Sequence, residues 1–147
     1  RDVSYRQLNE AKAKINPIEF KRARHVVQEN ERVLNCAESL RFENLERVGK
    51  LMNSSHVSLR DNFEVSSHAL DLIVQSALKA PGCFGARMTG AGFGGCAVAL
   101  VEKKQSEDFV KSVLKSYQIS TGKKALLYVC KASQGTSTYN KKEFIAK

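Results

Sequence analysis

Two short segments of this chain contain residue types that could carry chemistry. One is SSHVSLRD at residues 54–61, which combines hydroxyl, imidazole, guanidinium and carboxylate groups on Ser55, His56, Ser58, Arg60 and Asp61. The other is TGAGFGG at residues 89–95, in which glycine lets backbone N–H groups come close to a ligand or to another chain. The first segment suggests acid–base or nucleophilic chemistry, and the second suggests the binding of phosphate.

A catalytic triad in the first segment is not favoured. Residues 44–60 have apolar side chains at helical spacing, and neighbouring residues on a helix point about 100° apart. Ser55, His56 and Asp61 therefore cannot line up as nucleophile, base and orienting acid. We expect the polar side chains of this segment to support the glycine segment by hydrogen bonding, and we predict no metal ligand in this chain.

The glycine segment fits two familiar phosphate-binding patterns in spacing but not in context. Gly90, Gly92 and Gly95 match the G-x-G-x-x-G pattern of dinucleotide-binding loops, in which the glycines open a helix. Here they lead into CAVALV, a short apolar run typical of a buried strand. The glycine loop of protein kinases does join two strands, but its lysine-bearing strand has no counterpart in residues 98–101.

The context predicts a strand at about residues 84–89, a turn at 90–94 and a second strand at 95–101. Such a turn is either a plain hairpin or a loop whose bare backbone approaches an anion or a neighbouring chain. A plain hairpin usually needs only one or two residues of positive φ. The residues alone leave both interpretations open.

Helices precede these strands, and further elements follow them. Pro17 suits the first turn of an amphipathic helix over 17–40, and Ser66 or Ser67 would cap another that ends near residue 79. A further helix over 106–118, capped by Ser106, would lead to a third strand at ALLYVCK, residues 125–131. Because strands and helices do not alternate regularly, this order predicts an α+β fold.

The predicted fold is a ferredoxin-like two-layer sandwich, whose mainly antiparallel sheet is covered by helices, with extra N-terminal helices. We expect one domain over residues 1–147. Its parts are a helical part at about 1–80, a sheet-containing part at about 81–132 and a frayed tail at about 133–147.

Composition narrows the class of protein. The 147 residues are 42% hydrophobic, enough for one core, and contain no apolar run that could cross a membrane and no segment of signal-peptide type. The four cysteines are widely spaced, without the C-x-x-C pairs of zinc or redox sites. These features predict a cytoplasmic protein with reduced thiols and no membrane partner.

The net charge of +9 raises the question of nucleic acid. Most lysine pairs are well separated, and the one dense stretch, KRARH at residues 21–25, alternates with apolar positions and would form a solvated helix face. A ferredoxin-like nucleic-acid binder would interleave aromatic and basic residues on its strands, where this chain offers only Tyr128. We therefore expect no nucleic-acid partner, although the charge also suits a phosphorylated small ligand.

Three ordered motifs carry a resemblance to a known family. They are RARHVVQENERV at 22–33, LMNSSHVSLRDNFEVSS at 51–67 and GARMTGAGFGGCAVALV at 85–101. Together they resemble the C-terminal half of galactokinases, members of the GHMP group of small-molecule kinases, and the resemblance fades after about Lys131. Ser67, Ala69 and Gln134 depart from the residues that are more common in that family.

The resemblance implies transfer of the γ-phosphoryl group of MgATP to the anomeric hydroxyl of galactose. It also implies that the catalytic residues, the sugar-recognition motif and the ATP phosphate loop lie in an N-terminal half, this chain's partner, so that the chain alone would be inactive and would bind no cofactor tightly. The glycine segment would line the cleft as the third GHMP motif, and Gly92→Val would then lower kcat while leaving the fold largely intact. Its residues are Thr89, Gly90, Ala91, Gly92, Phe93, Gly94 and Gly95.

Other functions stay open at this point. The parent protein could phosphorylate a related sugar such as N-acetylgalactosamine, or act as a non-catalytic sugar-sensing regulator with a galactokinase-like fold. A mevalonate kinase is the nearest alternative within the GHMP group, although SHVSLRD argues against it.

Overall fold

The computed structural model describes residues 2–135, which form five α-helices and one two-stranded sheet. Short 3-10 turns lie at Lys12–Lys14 and Lys103–Gln105, and a π-helical turn at Leu59–Phe63. The helices and strands are α1 (Tyr5–Glu10), α2 (Pro17–Arg41), α3 (Leu45–Ser58), α4 (His68–Lys79), β1 (Cys83–Thr89), β2 (Cys96–Val101) and α5 (Ser106–Thr121).

The helix starts follow the local sequence in two of three predicted cases. Pro17 is the first residue of α2, with Asn16 as its cap, and the Ser67 hydroxyl accepts the Leu70 N–H at 3.3 Å to begin α4. The prediction that Ser106 caps α5 was wrong, because the preceding 3-10 turn runs directly into the helix. Ser106 instead donates to the Lys103 carbonyl oxygen at 3.0 Å.

The end of α3 differs from the predicted helix. The α-helix stops at Ser58, and a π-helical turn carries the chain on to Phe63, where Glu64 adopts a left-handed conformation with φ of 59°. The Glu64 carboxylate accepts hydrogen bonds from Lys21 at 2.8 Å and Arg22 at 2.5 Å. These charges hold the pKa of Glu64 down at about 2, so the carboxylate stays ionised and ties this turn to α2.

The two predicted strands around the glycines are confirmed, and so is the α+β class with an antiparallel sheet covered by helices. β1 and β2 pair antiparallel, with Ala86 opposite Ala99 and Thr89 opposite Cys96. Side chains of β1 alternate between two faces. Ala86 and Met88 pack toward α4, whereas Gly85 and Arg87 meet α3 and α2.

The third strand predicted at residues 125–131 is not formed. Within residues 2–135 the sheet has only β1 and β2, and Leu126 and Tyr128 are 84% and 81% exposed. Only Leu127 of this segment packs against the core between the hairpin, α4 and α5. The prediction was wrong because an apolar pattern indicates side chains suited to a sheet, while a strand also requires a neighbouring backbone edge to pair with.

The largest core cluster lies between the hairpin and helices α4 and α5, so these helices fix the position of the strands. Its buried members are Val74, Ala77, Ala80, Ala86, Phe109 and Val113. A second cluster, Leu59, Leu70 and Met88, joins the end of α3 and the start of α4 to the end of β1, immediately before the glycine segment.

Candidate functional site

The turn between β1 and β2 requires glycine at several positions. Gly90, Gly92 and Gly94 have φ of 79°, 86° and 114°, a region that side-chain-bearing residues rarely adopt, and Phe93 also has a positive φ of 57°. An ordinary two-residue hairpin needs fewer such residues. The conformation is thus more unusual than pairing two strands demands.

One point of this turn is anchored to the rest of the domain. The Phe93 N–H donates to the Val65 carbonyl oxygen at 2.9 Å, and a Cβ atom on Gly92 would overlap that same oxygen. Gly92 is therefore needed for a packing contact as well as for its φ. This overlap with Val65 argues against the expectation that Gly92→Val leaves the fold largely intact.

The remaining glycines of the turn have free space around them. A Cβ on Gly90 or Gly94 would meet no atom within 4 Å, and one on Gly95 would meet only carbonyl oxygens at ordinary distances, the nearest at 3.5 Å. Within residues 2–135, nothing covers this side of the turn closely enough to exclude a side chain. Phe93 projects from it with 73% of its surface exposed.

His56 links three elements just before this turn. Its Nδ1 accepts the Met88 N–H at 3.3 Å, so its Nε2 carries the proton and faces Asp71 Oδ1, also at 3.3 Å. Ser66 donates to the same Asp71 oxygen at 2.6 Å. Burial lowers the pKa of His56 despite the nearby Asp71, so the ring is neutral and joins α3 to β1 and α4.

Ser55 belongs to a second polar cluster, centred on Glu29 of α2. The carboxylate accepts from Ser55 Oγ at 2.5 Å, Arg87 Nη1 at 3.0 Å and Arg32 Nε at 2.7 Å. Burial raises the pKa of Glu29, but the bonds from Ser55 and Arg32 and the two positive charges outweigh it, and the pKa lies below its ordinary value. The ionised Glu29 holds the second face of β1 against α2 and α3.

Ser58 forms a third contact, at the end of α3. Its hydroxyl lies 3.0 Å from His25 Nδ1 and accepts from Asn62 Nδ2 at 3.2 Å. The His25 ring packs on Phe63 with 4.7 Å between ring centroids, and burial lowers the pKa of His25. This contact fixes the π-helical turn, and through it Val65, relative to α2.

Arg60 and Asp61 lie apart from these clusters. They pair with each other at the surface, with Arg60 Nε 2.7 Å and Nη2 3.0 Å from the Asp61 carboxylate oxygens. This pairing raises the pKa of Arg60 and lowers the pKa of Asp61. Neither side chain makes a hydrogen bond to the network below the glycine turn, although the charge of Arg60 helps to lower the pKa of His56.

The polar segment therefore acts on the turn differently from the expectation. Within the described residues, none of Ser55, His56, Ser58, Arg60 and Asp61 makes a hydrogen bond to residues 89–95. His56 holds Met88, one residue before Thr89, and the direct contact to the turn comes from Val65.

Sequence reasoning missed the residues that complete these clusters. Val65 acts through its carbonyl oxygen, which no side-chain pattern reveals. Asp71 lies in the first turn of α4, where an acidic residue is common and does not suggest a specific partner. Glu29 and Arg87 are 58 residues apart in the sequence and come together only in the folded chain. One signal in the sequence did point to these clusters: α3 carries several polar side chains although it has to pack against other elements, so those side chains need buried partners.

The arrangement is suited to shaping a surface, and its serine–histidine contact, between Ser58 and His25, is buried. Across residues 2–135, no three His, Cys, Asp or Glu side chains are grouped so that they could hold a metal ion. In the same range, every helix is too short or too polar to cross a membrane. What the site offers is a fixed turn with bare backbone on its outer side.

Comparison with known families and proteins agrees with the sequence motifs. Residues 33–119 match the family described as GHMP kinases C terminal. A galactokinase from Roseiflexus sp. is 45% identical over 135 residues, which cover 92% of this chain and 34% of that protein. One from Chloroflexus aurantiacus is 52% identical over 115 residues, which cover 78% of this chain and 30% of that protein.

Solved structures show the same relationship. The galactokinase of Lactococcus lactis complexed with galactose superposes with a TM-score of 0.80 and 40% identity, covering 84% of this chain and 32% of that one. The mevalonate kinase of L. major in complex with R-mevalonate has a TM-score of 0.57 and 33% identity, covering 72% of this chain and 31% of that one. The resemblance inferred from the three motifs is confirmed, and the chain spans about a third of the length of the curated relatives it matches.

Proposed function

Because this chain belongs to the GHMP kinase C-terminal family, we propose that it is the C-terminal domain of an ATP-dependent galactokinase. The parent enzyme would convert galactose and ATP to galactose 1-phosphate and ADP. The observation that carries the proposal is the 40–52% identity to galactokinases that this chain shares across the glycine turn and its supporting helices.

In this proposal the glycine turn is one wall of the active-site cleft. Phosphoryl transfer depends mainly on positioning the two substrates and stabilising charge, with little covalent chemistry for the protein to supply. A turn that is fixed at Val65 and bare at Gly90, Gly94 and Gly95 can lie directly against a second wall or a substrate. The upstream half, the domain's partner, would supply the opposite wall and the catalytic residues.

MgATP enters the proposal as a substrate of the whole enzyme. Its phosphates would lie between the two halves, where backbone N–H groups of residues 89–95 could face them. We expect the isolated domain to bind MgATP weakly, because a nucleotide held between two walls loses most of its contacts when one is removed.

A complementation assay tests this proposal. Galactose 1-phosphate formation from MgATP and galactose is measured for the chain alone, for a separately produced upstream half and for their mixture. We expect product only from the mixture. Product from the chain alone would place the catalytic residues within this domain, and no product from a mixture that forms a stable complex would argue against a galactokinase.

The same assay run with a panel of sugars addresses the related alternatives. N-acetylgalactosamine as the better substrate would make the parent a kinase for that sugar. Sugar binding without any phosphorylation would make it a sugar-sensing regulator. Free thiols on all four cysteines are consistent with a cytoplasmic location, which fluorescence microscopy of the tagged parent protein would test.

A further inference from the structure

A groove between α2 and α3 has no role in the function proposed above. It is an open groove of about 350 Å³, lined on one side by Arg24, Gln28 and Arg32 of α2. The opposite side includes Asn53 and Ser54 of α3. None of residues 89–95 lines it.

Two guanidinium groups of this groove lack a full set of hydrogen-bond partners. Arg24 Nε and Arg32 Nη2 are buried without any acceptor in the described part of the chain. Arg32 donates through its Nε to Glu29 at 2.7 Å, which leaves its Nη2 without an acceptor. An arginine is always charged and has no acceptor of its own, so an unsatisfied guanidinium favours an anion nearby.

The remaining polar groups of the groove include both donors and acceptors. Asn53 uses its carbonyl oxygen to accept the Ala86 N–H at 2.9 Å, so its amide NH₂ is the part that can face a ligand. Ser54 donates its proton to the Lys50 carbonyl oxygen at 2.9 Å. No carboxylate lines the groove, and the nearby Glu29 already accepts from three partners.

We propose that this groove binds a small oxyanion, the phosphate or carboxylate group of a small metabolite, with Arg24 and Arg32 as its charged ligands. Guanidinium forks match the geometry of phosphate and carboxylate oxygens and form strong, charge-assisted bonds with them. A cavity of this volume holds a small molecule. The inference depends only on the groove, so it stands or falls separately from the galactokinase assignment.

The first test locates the anion directly. Crystals of the full parent protein are soaked in tungstate, a tetrahedral oxyanion with a strong anomalous signal. We expect an anomalous peak between Arg24 and Arg32 that disappears in Arg24→Gln. Absence of a peak in the unsubstituted protein, persistence of the peak in the variant, or a carboxylate of the parent's own chain in the groove would each overturn the proposal.

A binding measurement in solution shows whether the groove prefers a phosphate or a carboxylate. Binding of inorganic phosphate and of citrate to the parent protein is measured by calorimetry at constant ionic strength. Arg24→Gln should weaken binding of the preferred anion by about tenfold, whereas Arg41→Gln, an exposed arginine at the end of the same helix, should change it less than about twofold. Equal weakening by both variants would show a diffuse charge effect and would contradict a defined site.

Arg24→Lys keeps the positive charge but loses the planar guanidinium. Its affinity for the anion should fall between the affinities of Arg24→Gln and Arg41→Gln.

Discussion

The contact between α3 and β1 and the turn between β1 and β2 both depend on glycine, but for opposite reasons. At the contact, a Cβ on Gly49 would overlap the Phe84 carbonyl oxygen, and one on Gly85 would overlap the backbone of Gly49. At the turn, a Cβ on Gly90 or Gly94 would meet nothing within 4 Å. Gly49 and Gly85 have to be glycine because neighbouring backbone atoms fill the space that a Cβ would need.

The 17-residue motif at residues 85–101 thus contains both a glycine that packing requires, Gly85, and glycines with open space around them. Glycine at the contact lets two backbones pack directly, which side-chain substitution would prevent. The open glycines at the turn make no close packing contact within residues 2–135. Gly95, in addition, has an ordinary φ, so its backbone conformation does not require glycine. A bare, open backbone is what we expect where another wall has to approach.

The largest effect is expected at the contact. Gly49→Val should reduce the free energy of unfolding by about 3 kcal/mol or more, because the side chain would force α3 away from β1. Urea unfolding of the chain followed by circular dichroism measures this. Gly135→Val is the matched control, since a Cβ there meets no atom within 4 Å. Similar losses in both variants would show that the close contact does not limit stability.

A smaller loss is expected from the ion pair on the same face of β1. Arg87→Met should cost about 1–3 kcal/mol, because Glu29 would stay ionised and half-buried with one donor fewer. The comparison variant is Arg6→Met, which removes an exposed i,i+4 pair with Glu10 and should have little effect. Equal stability of the two variants in urea would mean that Glu29 does not hold β1 in place.

The pH dependence of stability tests the role of His56, which bonds Met88 just before the glycine turn. The pKa of buried His56 in the folded protein lies below its ordinary value of 6.5, so the unfolded chain binds more protons just below that pH. Stability should be greatest well above pH 6.5, decline as the pH falls from about 6.5 toward the lower folded-state pKa, and level off below it. The charges of Asp71, Arg60 and Arg87 also act on this ring. His56→Gln should make this decline shallower. The pKa of His25 is also lowered, so His25 should account for the decline that remains.

Exposed His68 provides the control for this experiment. Denaturation midpoints for His68→Gln should follow those of the unsubstituted chain at every pH. A decline as steep in His56→Gln as in the unsubstituted chain would contradict the view that the neutral His56 ring holds Met88.

Local sequence patterns predicted the elements well, and contacts between distant residues poorly. Apolar spacing located α2, α4 and the hairpin. The strand predicted at 125–131 failed because pairing depends on a neighbouring edge. The supporting role of Val65 could not be predicted, since a carbonyl oxygen is common to every residue.

The candidate site shows the same division. The glycine turn was recognisable from its composition and from a family resemblance, whereas His56 bonds Met88, one residue before the segment it was expected to support. Their partners Glu29, Asp71 and Arg87 come from other elements and are brought together only by the fold. The predicted frayed tail extends beyond the described residues from position 136 onward.

The most direct test of the account is Gly95→Ala in the full parent enzyme, with stability and catalysis measured on the same preparation. Because Gly95 has an ordinary φ and room for a methyl group, the free energy of unfolding should change by less than about 0.5 kcal/mol. If the turn lies against the opposite wall or the substrate, kcat/KM for galactose should fall by about tenfold or more, while Gly135→Ala leaves it unchanged. Unchanged kcat/KM at unchanged stability would contradict the assignment of this turn to the active-site cleft.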